Sequence, residues 1–262
     1  MIPPTTGPAA TLGFWTLLML LLPVLVVQAL WTAWRTPRLP EAPGPREGCA
    51  NRAGETRSPA GDGGVQLLVV GESTSVGVGV AKLEQGIAAG LSRVLAARGA
   101  GTVHWRVVGA NGARVAAAAA LVERAEPLPT PDLVLVPMGV NDTVKLSSLA
   151  QWRSSLGTMA RALRARGATR IAFASVPPVG WFTALPRPLR WLLGWRARQL
   201  DRALLEWCAE AGPDVHYLPI RFPPLPELLA EDGYHPGEEG YRRWASLLAD
   251  QLLANGLIRP AP

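Results

Sequence analysis

Apolar positions along this chain follow two periods. Short, β-branched runs recur at Val65-Gln66-Leu67-Leu68-Val69-Val70, Val103-His104-Trp105-Arg106-Val107-Val108, Leu133-Val134-Leu135-Val136, Ile171-Ala172-Phe173-Ala174 and Val215-His216-Tyr217-Leu218. Each is bounded by turn-forming residues and reads as a strand, the more apolar ones buried on both sides. Between them lie stretches with helical spacing: 81–87, 113–125, 149–166, 188–211 and 238–253. Five strands alternating with helices predict an α/β fold with a parallel sheet covered on both faces. In such a sheet the turns after the strands gather at one edge, where ligands bind.

One stretch fits neither period. From Thr11 to Trp34 the chain carries no charge and is apolar all round. About 20 apolar residues are what a helix needs to cross a bilayer, and Trp15, Trp31 and Trp34 near its ends resemble an interfacial belt. The N-terminal region 1–34 is therefore predicted to hold a transmembrane anchor over about residues 12–34. A cleaved signal peptide with Val27-Gln28-Ala29 at the cleavage site is the alternative, but residues 1–14 lack the basic start such peptides use. Arg35, Arg38, Arg46, Arg52 and Arg57 follow the segment and no basic residue precedes it. The positive-inside rule then puts the following domain in the cytoplasm, an extracytoplasmic domain being the alternative. Residues 35–64, rich in Pro, Gly, Arg and Glu, read as a linker, and residues 65–262 as the globular domain.

Composition narrows the function classes. Hydrophobic residues make up 48% and charged ones 18% of the 262 residues, which is globular rather than disordered. The net charge of +6 would suit anionic lipid or nucleic acid. No nucleic-acid motif and no alternation of aromatic and basic residues accompanies it, so nucleic acid is not expected as a partner. Two cysteines, Cys49 in the linker and Cys208 in a helix, are too few for a disulfide scaffold or a cysteine metal site.

The candidate chemistry lies at the strand ends. Gly71-Glu72-Ser73-Thr74-Ser75 follows the first strand, and it reads either as a nucleophilic serine, as a helix cap or as a phosphate loop. The last lacks the Gly-Lys-Ser/Thr ending. A serine nucleophile needs a base, an orienting acid and oxyanion donors. Of the three histidines, His104 and His216 sit inside strand-like runs, while His235 lies in the loop Asp232-Gly233-Tyr234-His235-Pro236. Asp232 can fold back onto the imidazole and leave Nε2 free to take a proton. Gly112 after the second strand can offer a backbone N–H, and Asn141 after the third its side-chain amide. Either turn alone is unremarkable, but all four loops fall on the same predicted sheet edge.

With these residues assembled, the chain resembles the SGNH (GDSL-like) hydrolase superfamily over roughly residues 65–254. The matching blocks are Gly71-Glu72-Ser73, Gly112, Gly139-Val140-Asn141-Asp142 and Asp232-Gly233-Tyr234-His235-Pro236, in family order. The resemblance implies a three-layer α/β/α, flavodoxin-like fold with strand order 2-1-3-4-5. It implies Ser73 as nucleophile, His235 as base, Asp232 as its orienter, and the Ser73 and Gly112 amides with Asn141 as oxyanion hole. No metal or organic cofactor is implied. Glu72 departs from the usual Asp by one methylene, and Arg114 replaces a small hydroxyl residue.

A Pro- and Trp-rich stretch after the fourth strand contains Trp181 and Phe182, and with Arg114 these are candidate substrate contacts. Arg187, Arg190 and Arg196 could meet lipid phosphates if this stretch dips into a membrane, or the tryptophans could simply pack on the sheet. The expected activity is hydrolysis of small or lipid acyl esters at a membrane held through residues 12–34. Deacetylation of a glycan or envelope polymer by the same triad is the enzymatic alternative. An inactive membrane-tethered binding module is the alternative of another class.

Overall fold

A computed structural model describes residues 7–52, 64–126, 128–219 and 225–259. Its sheet has six strands: β1 (Glu47–Ala50), β2 (Val65–Gly71), β3 (Val103–Gly109), β4 (Leu133–Val136), β5 (Ile171–Ala174) and β6 (Val215–Leu218), in the order β1-β3-β2-β4-β5-β6. The five expected strands are parallel and lie in the expected order. Alternate side chains of β2 divide between the faces. Leu67 and Val69 join one core with α2 (Ile87–Leu95) and α7 (Glu238–Ala254). Leu68 and Val70 join the other with α3 (Val115–Arg124), α5 (Leu149–Ala165) and α6 (Leu189–Glu210). This period-2 split of a strand buried on both sides produces the three layers.

The sixth strand corrects the reading of 35–64 as a linker throughout. β1 pairs antiparallel with β3, Cys49 opposite His104, at the edge of the sheet. The chain before it is pinned as well: Val107 N–H donates to the Arg46 carbonyl at 2.7 Å, Ala42 N–H to Val76, and Leu83 N–H to Pro43. Arg46 also donates to the Gly109 carbonyl, and Glu41 accepts from the Asn111 N–H. Backbone pairing at an edge needs few apolar side chains, so a Pro- and Gly-rich stretch can supply it without a hydrophobic signature.

A second correction concerns the approach to the first helix of the domain. Residues 72–82 form turns rather than helix, Leu83–Gln85 is a single 3-10 turn, and α2 starts only at Ile87. Gly77 and Gly79 have φ of +69° and +101°, left-handed values that interrupt a helix. A Cβ on Gly79 would lie 2.4 Å from the Pro236 carbonyl oxygen, so this turn can touch the His235 loop only as glycine. Thr74 and Ser75 accordingly sit in a turn and not in a first helical turn.

The N-terminal apolar segment is one helix, α1 (Pro8–Arg35), long and apolar enough to cross a membrane. At 1.5 Å per residue it is about 42 Å long. It does not stand free of the domain. Phe14, Leu18 and Leu25 are buried in the core that contains α6. The Phe14 ring meets Trp195 edge-on at 5.7 Å. Gln28 donates to the Arg187 carbonyl and accepts from the Leu189 N–H. Arg196, expected near lipid phosphates, is instead fully buried beneath α1. Its guanidinium lies 5.4 Å from the Phe14 ring centroid and 5.9 Å from that of Trp15, and it donates to Gln199 Oε1 and to the Ser147 carbonyl. Burial pulls its pKa down.

Candidate active site

The loops after β2, β3, β4 and β5 meet the Asp232–Pro236 loop around one cavity of about 230 Å3. Ser73, Asn141, His235, Phe182, Tyr234 and Trp244 are among its walls. Ser73 is two residues past β2, in a bend that depends on Gly71. A Cβ at Gly71 would fall 2.1 Å from Ser75 Oγ and 3.2 Å from the Pro137 carbonyl. The bend is closed by Ser75 N–H donating to the Glu72 carbonyl and Val78 N–H to that of Ser73.

Glu72 holds the loop of Ser73 against the loop after β4. Its carboxyl is buried and accepts four hydrogen bonds: from the N–H groups of Gly139, Val140 and Asn141, each at 3.0 Å, and from Asn141 Nδ2 at 2.6 Å. The extra methylene relative to Asp lets it span this gap. These donors belong to the start of α4 (Val140–Val144), so Asn141 sits at a short helix entry rather than a plain turn. Burial pushes the Glu72 carboxyl above its ordinary range; the bonds from Asn141 and Val140 oppose this without cancelling it, and the Asp142 charge adds to the rise. An amide carries two hydrogens, so Asn141 keeps one beyond the bond to Glu72. Asp142 is buried too, accepting from Val115 N–H at the start of α3 and from Ser147 Oγ.

Behind His235, Asp232 organises the loop that carries the imidazole. One carboxyl oxygen accepts from the Tyr234 and His235 N–H groups, folding the loop back on itself. The other lies 2.5 Å from His235 Nδ1. Burial raises the Asp232 pKa, but the bond to the His235 ring, the Tyr234 and His235 N–H groups and the nearby imidazole outweigh it, leaving the carboxyl below its ordinary range. An ionised carboxylate can only accept, so Nδ1 is the protonated ring nitrogen and Nε2 is left as the acceptor. Two contacts tie this loop to the serine's: Gly79 against the Pro236 carbonyl, and Tyr241 of α7 donating to the Val78 carbonyl at 2.8 Å.

The remaining expected residues separate. Phe182 is in the cavity wall and packs edge-on against Tyr234, ring centroids 5.9 Å apart. Trp181 is 55% exposed and outside the wall, as is Arg114, an exposed residue at the N-cap of α3. Of the Asn111-Gly112 turn, Asn111 borders the cavity. Gly112 follows at φ +76°, its carbonyl accepting from Lys145 and no atom near the place a side chain would take. His104 and His216 lie on β3 and β6, away from the cavity walls. Tyr234 and Trp244 were not singled out from the sequence. Tyr234 could have been, by its position inside the Asp-x-x-His block; Trp244 carries no local signal. Among the described residues no group of three or more His, Cys, Asp or Glu is placed to hold a metal ion.

Residues 69–243 match the family model described as the GDSL-like Lipase/Acylhydrolase family. A GDSL-like esterase of Mycobacterium tuberculosis, Rv1075c, is 31% identical over 190 residues, which are 70% of this chain and 60% of that protein. The chain therefore spans less than two thirds of that relative's length. Among solved structures, TesA superposes with a TM-score of 0.57 at 23% identity, covering 74% of this chain and 99% of that one. A lipase/acylhydrolase from Enterococcus faecalis gives 0.55 at 18% identity, with 76% and 99% covered. At these identities the two structures speak for the fold alone.

Proposed function

From the premise that this chain belongs to the GDSL-like lipase/acylhydrolase family, we propose that it is a serine hydrolase that cleaves carboxylic esters through an acyl-enzyme on Ser73. The observation that carries this reading is the 2.5 Å contact between His235 Nδ1 and Asp232, in a loop that shares its cavity with Ser73. Ser73 Oγ attacks the ester carbonyl carbon and His235 Nε2 takes the hydroxyl proton. Asp232 keeps the ring oriented and stabilises the imidazolium. The carbonyl oxygen becomes an oxyanion held by the Ser73 and Gly112 N–H groups and the second hydrogen of the Asn141 amide. Each such donor contributes about 2.7–4 kcal/mol to a transition state of this kind. His235 returns the proton to the departing alcohol, and water, activated by the same nitrogen, releases the acid.

Turnover of p-nitrophenyl butyrate by the full chain in detergent tests this. Activity is expected in the natural chain and absent in Ser73→Ala, with circular dichroism unchanged. No turnover of either acetate or butyrate by the natural chain would refute the reading.

We place the enzyme at a membrane through α1, with the hydrolase domain on the cytoplasmic side. The arginines at and just after the end of the helix, Arg35 and Arg38, suit the anionic surface of the cytoplasmic leaflet and support that side. Cys49 cannot report it, because its thiol is buried in β1. Arg242, on the outer face of α7, has a 75% exposed side chain. An Arg242→Cys variant in intact cells should resist an impermeant maleimide until the cells are opened; labelling before that places the domain outside.

A further inference from the structure

The α1 helix is apolar on two sides at once. Its inner side is buried on the domain through Phe14, Leu18 and Leu25, while Leu12, Met19, Leu20, Val27, Leu30 and Trp34 remain exposed. Between α1 and α6 the docking is incomplete and leaves a groove of about 460 Å3. Leu22 and Val26 of α1, Leu189 and Leu193 of α6, and Val144 at the end of α4 line it. These are hydrocarbon side chains, and although Thr32, Thr36 and Tyr234 also line the groove, its wall is mostly apolar and suits the hydrocarbon part of a ligand.

The groove and the cavity of Ser73 share one wall residue. Tyr234 lines both spaces, next in sequence to His235, and its ring meets Phe182 of the catalytic wall. Leu185, in the groove, is hydrogen-bonded through its N–H to the Phe182 carbonyl. Tyr234 is thus the wall shared by the cavity of Ser73 and the groove, and an acyl chain leading from the first to the second passes its ring. The two volumes together lie within the roughly 300–1,000 Å3 span of ligand sites.

The position of α1 says where such a chain comes from. Gln28 holds the C-terminal half of the helix to the start of α6, and at that end two cation–aromatic pairs gather, Arg35 over Trp31 and Arg187 over Trp191, each at 5.3 Å. Tryptophan beside arginine is the side-chain chemistry of a headgroup region. A helix that lies along its own domain from Phe14 to Gln28 cannot cross a bilayer in that position without carrying the domain with it. Seated in the plane of one leaflet, its exposed apolar face is covered by lipid and the groove behind it opens sideways to acyl chains.

We propose that the α1–α6 groove is the acyl-chain subsite of this enzyme, and that its substrate is a long-chain ester drawn from the leaflet in which α1 is seated. This rests on the serine-hydrolase reading of Ser73. The outer wall of the subsite lies in α1, outside the residues that match the family model.

The test uses the full chain in phosphatidylglycerol/phosphatidylethanolamine vesicles and a long-chain alkyl fluorophosphonate bearing a diazirine at the far end of its chain. Ser73 Oγ bonds to phosphorus as the P–F bond breaks, fluoride leaves, and His235 takes the proton. After irradiation the cross-link should map by mass spectrometry to Leu22 or Val26 of α1 or to Leu189 or Leu193 of α6. Labelled Ser73 with cross-links elsewhere overturns the subsite and spares the hydrolase reading. No labelling of Ser73, with no ester turnover, overturns both. Turnover gives a second readout on partly exposed positions that tolerate bulk. Val26→Trp and Val144→Trp should each lower the ratio of p-nitrophenyl palmitate to butyrate hydrolysis about tenfold, the consequence of filling an apolar site. Met19→Trp, on the outward face, should leave that ratio within about twofold. Equal ratios in all three variants overturn the proposal.

Discussion

Two buried carboxyls support the loops around the cavity of Ser73, and their pKa values are shifted in opposite directions. Glu72 accepts only from backbone and amide N–H groups of a neighbouring loop, and burial leaves its pKa above the ordinary carboxyl range. Asp232 accepts from two N–H groups and an imidazole, and its pKa lies below that range. Burial prevails at Glu72, whereas at Asp232 the bonds from the imidazole and the two N–H groups outweigh it. Glu72 fastens one loop to another, whereas Asp232 holds an imidazole, a group that can itself take up a proton. A buried acid beside Ser73 is thus read by its partners and not by its position alone.

The largest effect that would break this contrast is on turnover. Asp232→Asn keeps the shape but lets the side chain donate, which favours the wrong tautomer of His235. A loss of about 10⁴-fold in kcat with butyrate is expected, by analogy with the loss of the equivalent acid in serine proteases. A loss under tenfold would remove Asp232 from the working set. Glu72→Gln should act first on stability. It turns one acceptor oxygen into an NH2 facing donors, at a cost of about 1–3 kcal/mol read by denaturant unfolding. If Glu72→Gln instead unfolds like the natural chain but loses 10⁴-fold in kcat, the two acids have the same role after all.

The joint between the two loops gives a smaller effect. Tyr241→Phe removes the bond to the Val78 carbonyl and should cost about 0.5–1.5 kcal/mol. The same variant should raise hydrogen exchange in the 73–80 turns more than in β2.

The smallest effect is in the pH dependence of stability, where the two acids have opposite signs. A folded pKa above the unfolded 4.5 means that the native state binds more protons, so Glu72 lowers stability as pH rises from about 4.5 through its folded value. A folded pKa below 3.8 means the reverse. The contribution of Asp232 is complete above that value and is lost as pH falls through its folded value. Glu72→Gln should flatten the first slope and Asp232→Asn the second, as read by urea midpoints across pH 2–8. Identical slopes in both variants would dissolve the distinction.

The five parallel strands were legible because strands buried on both faces leave short β-branched runs, whereas their order came only with the resemblance carried by the strand-end blocks. The gathering of Ser73, Asn141 and His235 was legible because the turns after parallel strands share an edge. What stayed hidden depends on pairing rather than pattern. β1 contributes backbone hydrogen bonds from a Pro- and Gly-rich stretch, and such bonds have no composition of their own. The role of Glu72 depends on where three backbone N–H groups end up, which a one-methylene change does not announce. In α1, hydropathy counts Phe14 and Leu20 alike, although one is buried on the domain and the other faces outward. The contact of Gly79 with Pro236 is a long-range fact that no local pattern carries.

The pinned segment between α1 and β1 also has a kinetic meaning. Ala42, Pro43 and Arg46 are each hydrogen-bonded to the domain, so no slack separates the apolar helix from the cavity that holds Ser73. An enzyme tethered by a loose linker samples a volume, and its rate follows bulk concentration. With α1 seated in a leaflet, this one samples a surface at a fixed height, and its rate should follow the mole fraction of ester among the lipids. Diluting the substrate with inert lipid at constant total ester should slow it, whereas diluting the whole vesicle suspension should not.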